Sequence, residues 1–272
     1  MLIDFHTHAF PDKIAERAIT SLENNLLEFT GDESRSRANY RGTLKGLKDS
    51  MKKNGVDISV VLPIATTVTQ SESIIRFAAE INGTDGIISF GSVHPMQENA
   101  EEELVKIKEL GIKGIKLHPE YQGFYINSPE SVRMLKKAEE LGLYVVLHTG
   151  KDLGMPEPVH CPPQLLRDTL NYVSGKNIIA AHMGGYLLWE DVLKYLVGTD
   201  IIFDTSFCLG EMPRDMAKEI IAKHGAEKFV FGSDSPWATP GDISDALNCL
   251  ELTKEEFDKI TYKNACEILK IN

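Results

Sequence analysis

Cysteine is scarce in this sequence, and its spacing fits no metal-binding or redox motif. The 272 residues contain 4 cysteines, Cys161, Cys208, Cys249 and Cys266, and no two of them form a CxxC pair. This spacing excludes a zinc ribbon and a thioredoxin-like redox site. We interpret the four side chains as reduced thiols that are mostly buried.

Basic residues are fewer than acidic residues, and the sequence has no long apolar run. The chain has 29 Lys and Arg against 40 Asp and Glu, so its formal net charge is −11. Such a chain repels polyanions, which argues against a nucleic-acid partner. No stretch approaches the roughly 20 apolar residues of a membrane span, and no signal peptide precedes the first apolar run. We therefore expect a cytoplasmic protein without membrane contact.

The sequence does contain enough apolar material for a large core. Hydrophobic residues make up 42% and charged residues 25% of the chain, values typical of a soluble globular protein. Barrels of alternating strands and helices often reach about 250 residues as a single domain. The expectation is one domain that spans residues 1–272.

Eight short runs of apolar and β-branched residues recur along the chain, and helix-like segments separate them. They are "LIDFHTH" (2–8), "ISVVLPIA" (58–65), "GIISFGSVHP" (86–95), "IKGIKLHP" (112–119), "YVVLHTG" (144–150), "NIIAAHMGG" (177–185), "DIIFDTSF" (200–207) and "KFVFGSDSPW" (228–237). Most lie roughly 25 to 35 residues apart, the length of a βα unit. This pattern predicts an α/β fold, a single (β/α)8 TIM barrel.

The segment between the first two runs is longer than the others. Residues 9–57 are expected to hold an extra helix and a polar loop around "TGDESRSRANYRG". This loop either folds over a cleft or is a surface excursion.

Histidines and an aspartate stand at or near the ends of six of these runs. They are His8, His94, His118, His148, His182 and Asp234. In such a barrel the carboxyl ends of the strands meet at one rim, where catalytic groups sit. The six side chains are therefore expected to surround a common site.

The opening "DFHTH" is expected to bring two imidazoles together, because alternate residues of a strand share a face. Asp4, His6 and His8 would lie on that face. Alone, the two histidines would be hydrogen-bonded core residues, but His148 and Asp234 follow other apolar strands, where an unpartnered ionisable group is costly. Three imidazoles and one carboxylate suit Zn²⁺, and also Mn²⁺, Fe²⁺ or Co²⁺. The sequence thus predicts a divalent-metal site.

His182 and Lys116 each have more than one interpretation. His182, in "AAHMGG", either ligates a second metal or stays unligated to shuttle protons and stabilise the transition-state oxygen, which we favour. Lys116, in "GIKLHP", either bridges two ions as a carbamate, pairs with a substrate carboxylate, or is satisfied by a barrel carboxylate such as Asp4.

Three further residues are candidates for substrate binding. His118 shares a strand face with Lys116, and it either contacts the substrate or begins a loop before Pro119. Tyr121 and Trp237 lie near the same rim and are candidate pocket walls, although aromatic residues beside loops are more often packing elements.

The motifs "DFHTH", "GIKLHP", "LHTG", "AHMGG" and "GSDSPW" resemble those of the amidohydrolase superfamily, and they occur in the family's order. Within it, they resemble the branch that groups small amidohydrolases with the aminocarboxymuconate semialdehyde decarboxylase-like enzymes. The resemblance implies a barrel without the added β-sandwich of many larger members. It also implies a mononuclear centre in which His6, His8, His148 and Asp234 bind the metal, most readily Zn²⁺, and His182 is the catalytic imidazole.

The branch includes both hydrolases and nonoxidative decarboxylases, so the resemblance leaves two reactions open. We favour a hydrolase that attacks the carbonyl of an amide, a lactone or a related small molecule, with Asp234 moving the proton of the water and His182 stabilising the oxyanion. The alternative is a decarboxylase of an unsaturated or aromatic acid, in which Lys116 or Arg41 would bind the substrate carboxylate. A barrel that only binds a metal or ligand is a third hypothesis.

A small-molecule substrate is therefore the expected partner. Related barrels often pair, so a homodimer is also an expectation, although no apolar stripe in the sequence identifies an interface.

Overall fold

Residues 1–271, which a computed structural model describes, contain eight short parallel strands that form the wall of a barrel. The strands are β1 (Ile3–Thr7), β2 (Ile58–Val61), β3 (Ile87–Ser89), β4 (Gly114–Leu117), β5 (Tyr144–Leu147), β6 (Ile178–Ala180), β7 (Ile202–Asp204) and β8 (Phe229–Val230). Each lies inside one of the eight apolar runs of the sequence. The strands pair in chain order, β1 to β3 in one sheet and β4 to β8 in another.

Two contacts between these sheets close the barrel. Gly91, just beyond β3, bridges to Ile115 of β4, and the Lys116 amide donates to the Gly91 carbonyl over 2.8 Å. Thr7 of β1 bridges to Ser235, beyond β8, and the His8 amide donates to the Ser235 carbonyl over 2.7 Å. These bonds confirm the predicted (β/α)8 TIM barrel, and no β-sandwich accompanies it within residues 1–271.

Helices connect the strands and cover the outside of the wall. Over the described residues they are α1 (Asp12–Thr30), α2 (Leu44–Asn54), α3 (Ser71–Ile81), α4 (Ala100–Glu109), α5 (Pro119–Gln122), α6 (Pro129–Leu141), α7 (Pro163–Thr169), α8 (Trp189–Tyr195), α9 (Arg214–His224), α10 (Pro240–Asn248), α11 (Lys254–Asp258) and α12 (Asn264–Leu269). Short 3₁₀ turns cover His182–Gly184 and Ala226–Lys228, and a π-helical turn covers Lys259–Lys263. Of the helices in residues 1–271, none combines the length and the apolar character that crossing a membrane requires.

Alternate residues along the strands pack in two different layers of the core. In β5, Val145 and Leu147 pack with helix residues such as Leu135, whereas Val146 belongs to a second cluster. That second cluster draws on six strand segments, which can meet only inside the barrel. Ile268 and Leu269 of α12 belong to the same cluster, so this helix covers one end of the barrel interior.

The long segment after β1 holds the extra helix that the sequence predicted, and the polar loop behind it is tied down. The buried carboxylate of Glu23, on α1, accepts from the amide of Ala38 over 3.0 Å and from Nη1 of Arg41 over 2.8 Å. Arg41 also contacts Glu16 at 3.1 Å. The loop is therefore fixed against α1, and Arg41 is committed to it.

Burial of a neutral histidine in this fold gives a stability prediction. His224 Nε2 donates to the Ile201 carbonyl over 2.7 Å, Nδ1 accepts from the Gly198 amide, and the ring stacks on Phe203. Burial lowers the pKa of His224 from 6.5 to about 4. The stabilisation is therefore complete above pH 6.5 and is lost as the pH falls from 6.5 towards 4, by on the order of 3 kcal/mol.

We expect His224→Gln to be less stable than the natural protein at pH 7 but to lose less stability on acidification. Urea unfolding between pH 7 and pH 4 measures the difference between the two proteins, which cancels the contribution of other titrating groups. Parallel losses in both proteins would contradict the assignment.

Candidate functional site

A cavity that is partly open to solvent lies at the carboxyl ends of the strands. Nine of the residues predicted from the sequence line it: His6, His8, Lys116, His118, Tyr121, His148, His182, Asp234 and Trp237. Residues that the sequence analysis did not assign to the site complete the wall, among them Arg35, Asp152, Tyr186 and Phe207. His94 and Arg41 do not line it.

His6, His8 and Asp234 form the tightest group in this cavity. One potential ligand atom from each lies within 4.8 Å of the others. Asp234 Oδ1 is 3.1 Å from His8 Nε2 and 3.5 Å from His6 Nε2. The bond from the Asp234 amide to the His6 carbonyl, 2.8 Å long, fixes the two strand ends side by side.

Hydrogen bonds at Nδ1 determine which nitrogen of these rings carries the proton. His6 Nδ1 lies 2.7 Å from Asp204 Oδ2, and His8 Nδ1 lies 2.9 Å from the Leu62 carbonyl. Both neighbours only accept hydrogen bonds, so both rings carry their proton on Nδ1 and present a lone pair at Nε2. With this tautomer, the His8 lone pair faces the Asp234 carboxylate at 3.1 Å, an arrangement that suits a metal ion bound by both groups.

His182 determines the position of the proton on His148 in the same way. His182 Nδ1 faces the Ser206 carbonyl at 2.9 Å, so it carries the proton, and Nε2 accepts from His148 Nδ1 over 3.1 Å. The hydroxyl of Ser206 is bonded to Asp204 and does not compete. His148 is left with a lone pair at Nε2, a buried atom that has no hydrogen-bond partner.

These residues fit a divalent metal ion. Three histidines present Nε2 lone pairs to one cavity that also holds a carboxylate, and each Nδ1 proton is bonded to the protein, as is usual for metal-binding histidines. Burial, and secondarily Lys116, lowers the pKa of His6 to about 4, which keeps the ring neutral for binding. Burial would raise the pKa of Asp234, but the neighbouring imidazoles hold it below its ordinary value.

His148 also lies near His118 and Asp152, and potential ligand atoms of these three fall within 4.8 Å of one another. His118 and His148 are stacked, with ring planes 14° apart, so their lone pairs lie in nearly parallel planes and cannot converge on one ion. In addition, His118 Nδ1 accepts from the Tyr121 amide, which leaves its proton on Nε2, directed at Asp152 Oδ2, 3.3 Å away. This trio is therefore a hydrogen-bonded wall. The four-ligand set with His148 stays a prediction.

Asp204 is the functional residue that the sequence analysis missed. It is fully buried and accepts hydrogen bonds from His6 Nδ1, the His182 amide at 2.9 Å, and the Ser206 hydroxyl. It thus holds two site histidines in place at once. Its position at the end of the apolar run "DIIFDTSF" is the same signal that identified His148 and Asp234.

Lys116 lies inside the site rather than against Asp4. Its Nζ is 3.2 Å from His6 Nε2, while Asp4 is bonded to Ser233 through its hydroxyl and amide groups. Burial lowers the pKa of Lys116 to about 8, and the carboxylates of Asp204 and Asp234 oppose that shift. The interpretation of Lys116 as a partner of Asp4 therefore does not apply, and its role as a carbamate or a cation stays open.

Two site residues adopt a backbone conformation that is unfavourable for side-chain-bearing residues. His182 has φ 58° and Asp234 has φ 70°, both in the left-handed region. The hydrogen bonds at both residues over-determine this strained conformation. Strain of this kind is frequent at functional sites, and here it coincides with the cavity wall.

Comparison with known proteins identifies the family. A family model described as Amidohydrolase matches residues 3–271. The chain belongs to this family. It is accordingly an enzyme of the amidohydrolase superfamily, as the motifs indicated. No curated protein matches the sequence.

Solved structures with the same fold include enzymes of two reaction types. A 2,6-dihydroxybenzoate decarboxylase in complex with 2,6-dihydroxybenzoate is 16% identical, with a TM-score of 0.70 and coverage of 99% of both chains. A probable 2-pyrone-4,6-dicarboxylic acid hydrolase from Acinetobacter baumannii, with bound citric acid, is 18% identical, with a TM-score of 0.68 and 99% of both chains covered. A dihydroxybenzoic acid decarboxylase from a Polaromonas species, with bound manganese and an inhibitor, is 16% identical at a TM-score of 0.67, with 99% of this chain and 96% of that chain covered.

If the lone pairs hold a metal ion, its removal can be measured directly. We expect purified protein to contain close to one equivalent of a divalent metal, and His6→Ala and Asp234→Ala to lose most of it. His94→Ala is the matched control, because this histidine stands outside the cavity wall and should keep the metal. Elemental analysis provides the readout, and full metal content in both ligand variants would refute the site.

The role of Asp204 gives a separate prediction. Asp204→Asn would replace the acceptor of the His6 Nδ1 proton with an amide, so we expect metal affinity to fall by about 10- to 100-fold. Asp200→Asn, a surface substitution just before β7, should leave the affinity unchanged. Competition with a chelating dye measures both affinities, and equal values for the two variants would contradict the role.

Proposed function

We propose that this protein is a metal-dependent hydrolase that attacks the carbonyl of an amide, a lactone or a related small molecule. The observation that carries the proposal is the set of Nε2 lone pairs on His6, His8 and His148 in one cavity with the Asp234 carboxylate. A divalent ion held there would polarise a carbonyl and make a water molecule more acidic. Zn²⁺ and Mn²⁺ both suit this nitrogen and oxygen donor set.

Asp234 is positioned to accept the proton of the attacking water. Its carboxylate lies on the cavity wall, and the neighbouring imidazoles favour its ionised form. The general base must be within hydrogen-bond reach of the water, which the open side of the cavity allows. The same carboxyl group then returns the proton to the leaving nitrogen or oxygen.

His182 is the candidate for stabilising the oxyanion. Its Nδ1 proton is held by the Ser206 carbonyl and its Nε2 accepts from His148 Nδ1, so donation to a developing oxyanion requires the bond to His148 to be exchanged for one to the substrate. The Asp204 carboxylate accepts from the His182 amide and holds this residue in place. The proposal thus gives proton acceptance to Asp234 and oxyanion stabilisation to His182.

Decarboxylation is the second candidate function, because cationic groups are well represented in the cavity. Arg35, Lys116 and Lys151 line it, against two carboxylates, Asp152 and Asp234. An acidic substrate is compatible with this balance. This reaction would require a proton donor to carbon, for which a protonated His182 is the candidate. Arg41, the clamp considered from the sequence, is instead paired with Glu16 and Glu23.

Isotope labelling distinguishes the two reactions. We expect metal-loaded protein to open members of a lactone and amide panel in ¹⁸O-water, with one ¹⁸O in each product acid. Asp234→Asn and His182→Asn should lose activity by about 100-fold or more, the scale typical of acid–base groups. The matched control is Asp200→Asn, which should retain the rate. Release of carbon dioxide from aromatic acids, without ¹⁸O incorporation from lactones, would replace hydrolysis by decarboxylation.

A further inference from the structure

A carboxylate-binding pair at the cavity wall is not used by the hydrolytic steps. Arg35 Nη2 forms an ion pair with Glu211 Oε1 and lies 3.3 Å from the Tyr186 hydroxyl. That hydroxyl donates to the other oxygen, Oε2, of Glu211 over 2.6 Å. A guanidinium and a phenol therefore hold one carboxylate between them, and charge-assisted bonds of this kind are the strong ones in proteins.

The two donors face the cavity, whereas the carboxylate that they hold does not. Arg35 and Tyr186 are wall residues, and Glu211 is not. Tyr186 is only 2% exposed, and its ring is fixed by edge contacts with Trp189 and a tilted contact with Phe207. Arg35 comes from the loop after α1 and Glu211 from the loop after β7, so both partners of the ion pair lie on surface loops.

The charge balance of the cavity favours an anionic ligand. The chain has a net charge of −11, yet the wall carries more cationic side chains than carboxylates. A cavity whose sign opposes that of the rest of the protein attracts anions selectively. Of the cations on the wall, Arg35 is the one whose planar group can bind a carboxylate with two parallel bonds, whereas Lys116 and Lys151 each carry an ammonium group.

We infer that Arg35 and Tyr186 form a carboxylate subsite, and that the substrate carries a carboxylate separate from the carbonyl that reacts. The substrate carboxylate takes the place of Glu211, so one ion pair is exchanged for another. Phe10, Leu22, Leu26 and Phe207 line the same cavity and suit a ring or a short apolar body between the two ends. The inference rests on the proposed function, which places the reacting carbonyl at the His6, His8 and Asp234 end.

Matched ligand pairs test this subsite without turnover. Each of the three benzenedicarboxylates is compared with the matching nitrobenzoate, which keeps one carboxylate and replaces the other by a neutral, planar nitro group that the enzyme cannot hydrolyse. We expect calorimetric titration of the metal-loaded protein to show that at least one dicarboxylate binds about tenfold more tightly than its nitrobenzoate.

Three variants then assign the preference to residues. Arg35→Gln should reduce the ratio to near one, while Arg37→Gln, a neighbouring exposed arginine outside the cavity, should keep it. Glu211→Gln should increase the ratio, because the competing carboxylate is removed. A ratio near one for all three pairs in the natural protein, an unchanged ratio in Arg35→Gln, or a reduced ratio in Glu211→Gln would each overturn the inference. Failure of the lactone panel with these ratios intact would overturn the hydrolase proposal alone.

Discussion

The location of three imidazole protons decides what this cavity can bind. His6, His8 and His148 each have their Nδ1 proton engaged by an acceptor of the protein, so the nitrogens that remain are lone pairs. Lone pairs gathered beside the Asp234 carboxylate suit a cation, and the Lys116 ammonium group already lies 3.2 Å from His6 Nε2. The capacity of the cavity to hold a metal ion thus depends on hydrogen bonds outside the candidate ligands, at Asp204, at the Leu62 carbonyl and at His182.

The strands that form the barrel wall also carry the residues that make those hydrogen bonds. Each site residue follows a buried strand, and the residues that orient it follow neighbouring strands: Leu62 after β2 orients His8, and Asp204 at the end of β7 orients both His6 and His182. A parallel sheet closed on itself brings these ends to one rim. The strained backbone at His182 and Asp234 persists because several elements hold it together.

Much of this arrangement could be predicted from the sequence, because strand ends carry a local signal. A polar residue after an apolar run marked His148, His182 and Asp234 without any structure. The same signal at Asp204 was overlooked, since an aspartate inside "DIIFDTSF" does not resemble a ligand by itself. Arg35 and Tyr186 had no such signal. Their positions in the cavity wall depend on how the loop after α1 packs against the turn that follows β6.

Arg35 and Arg41 show why the arginine that lines the cavity was harder to predict than the histidines. The two arginines lie in the same polar loop, and nothing in the local sequence distinguishes them. Glu23 on α1 is buried and captures Arg41, and this leaves Arg35 to reach the cavity. The contact between Glu23, on a helix beneath the loop, and Arg41 therefore determines which of the two arginines lines the cavity. This contact cannot be seen in the local sequence.

The closure of the barrel has a consequence for how the protein is made. His6 and Asp234 come from the first and eighth strands, and the bridge between Thr7 and Ser235 joins segments separated by most of the chain. During synthesis His6 and His8 therefore remain without their carboxylate partner until the segment around Asp234 has been made. Closure of the wall and assembly of the His6, His8 and Asp234 group are thus a single late event, which depends on contacts between segments far apart in the sequence.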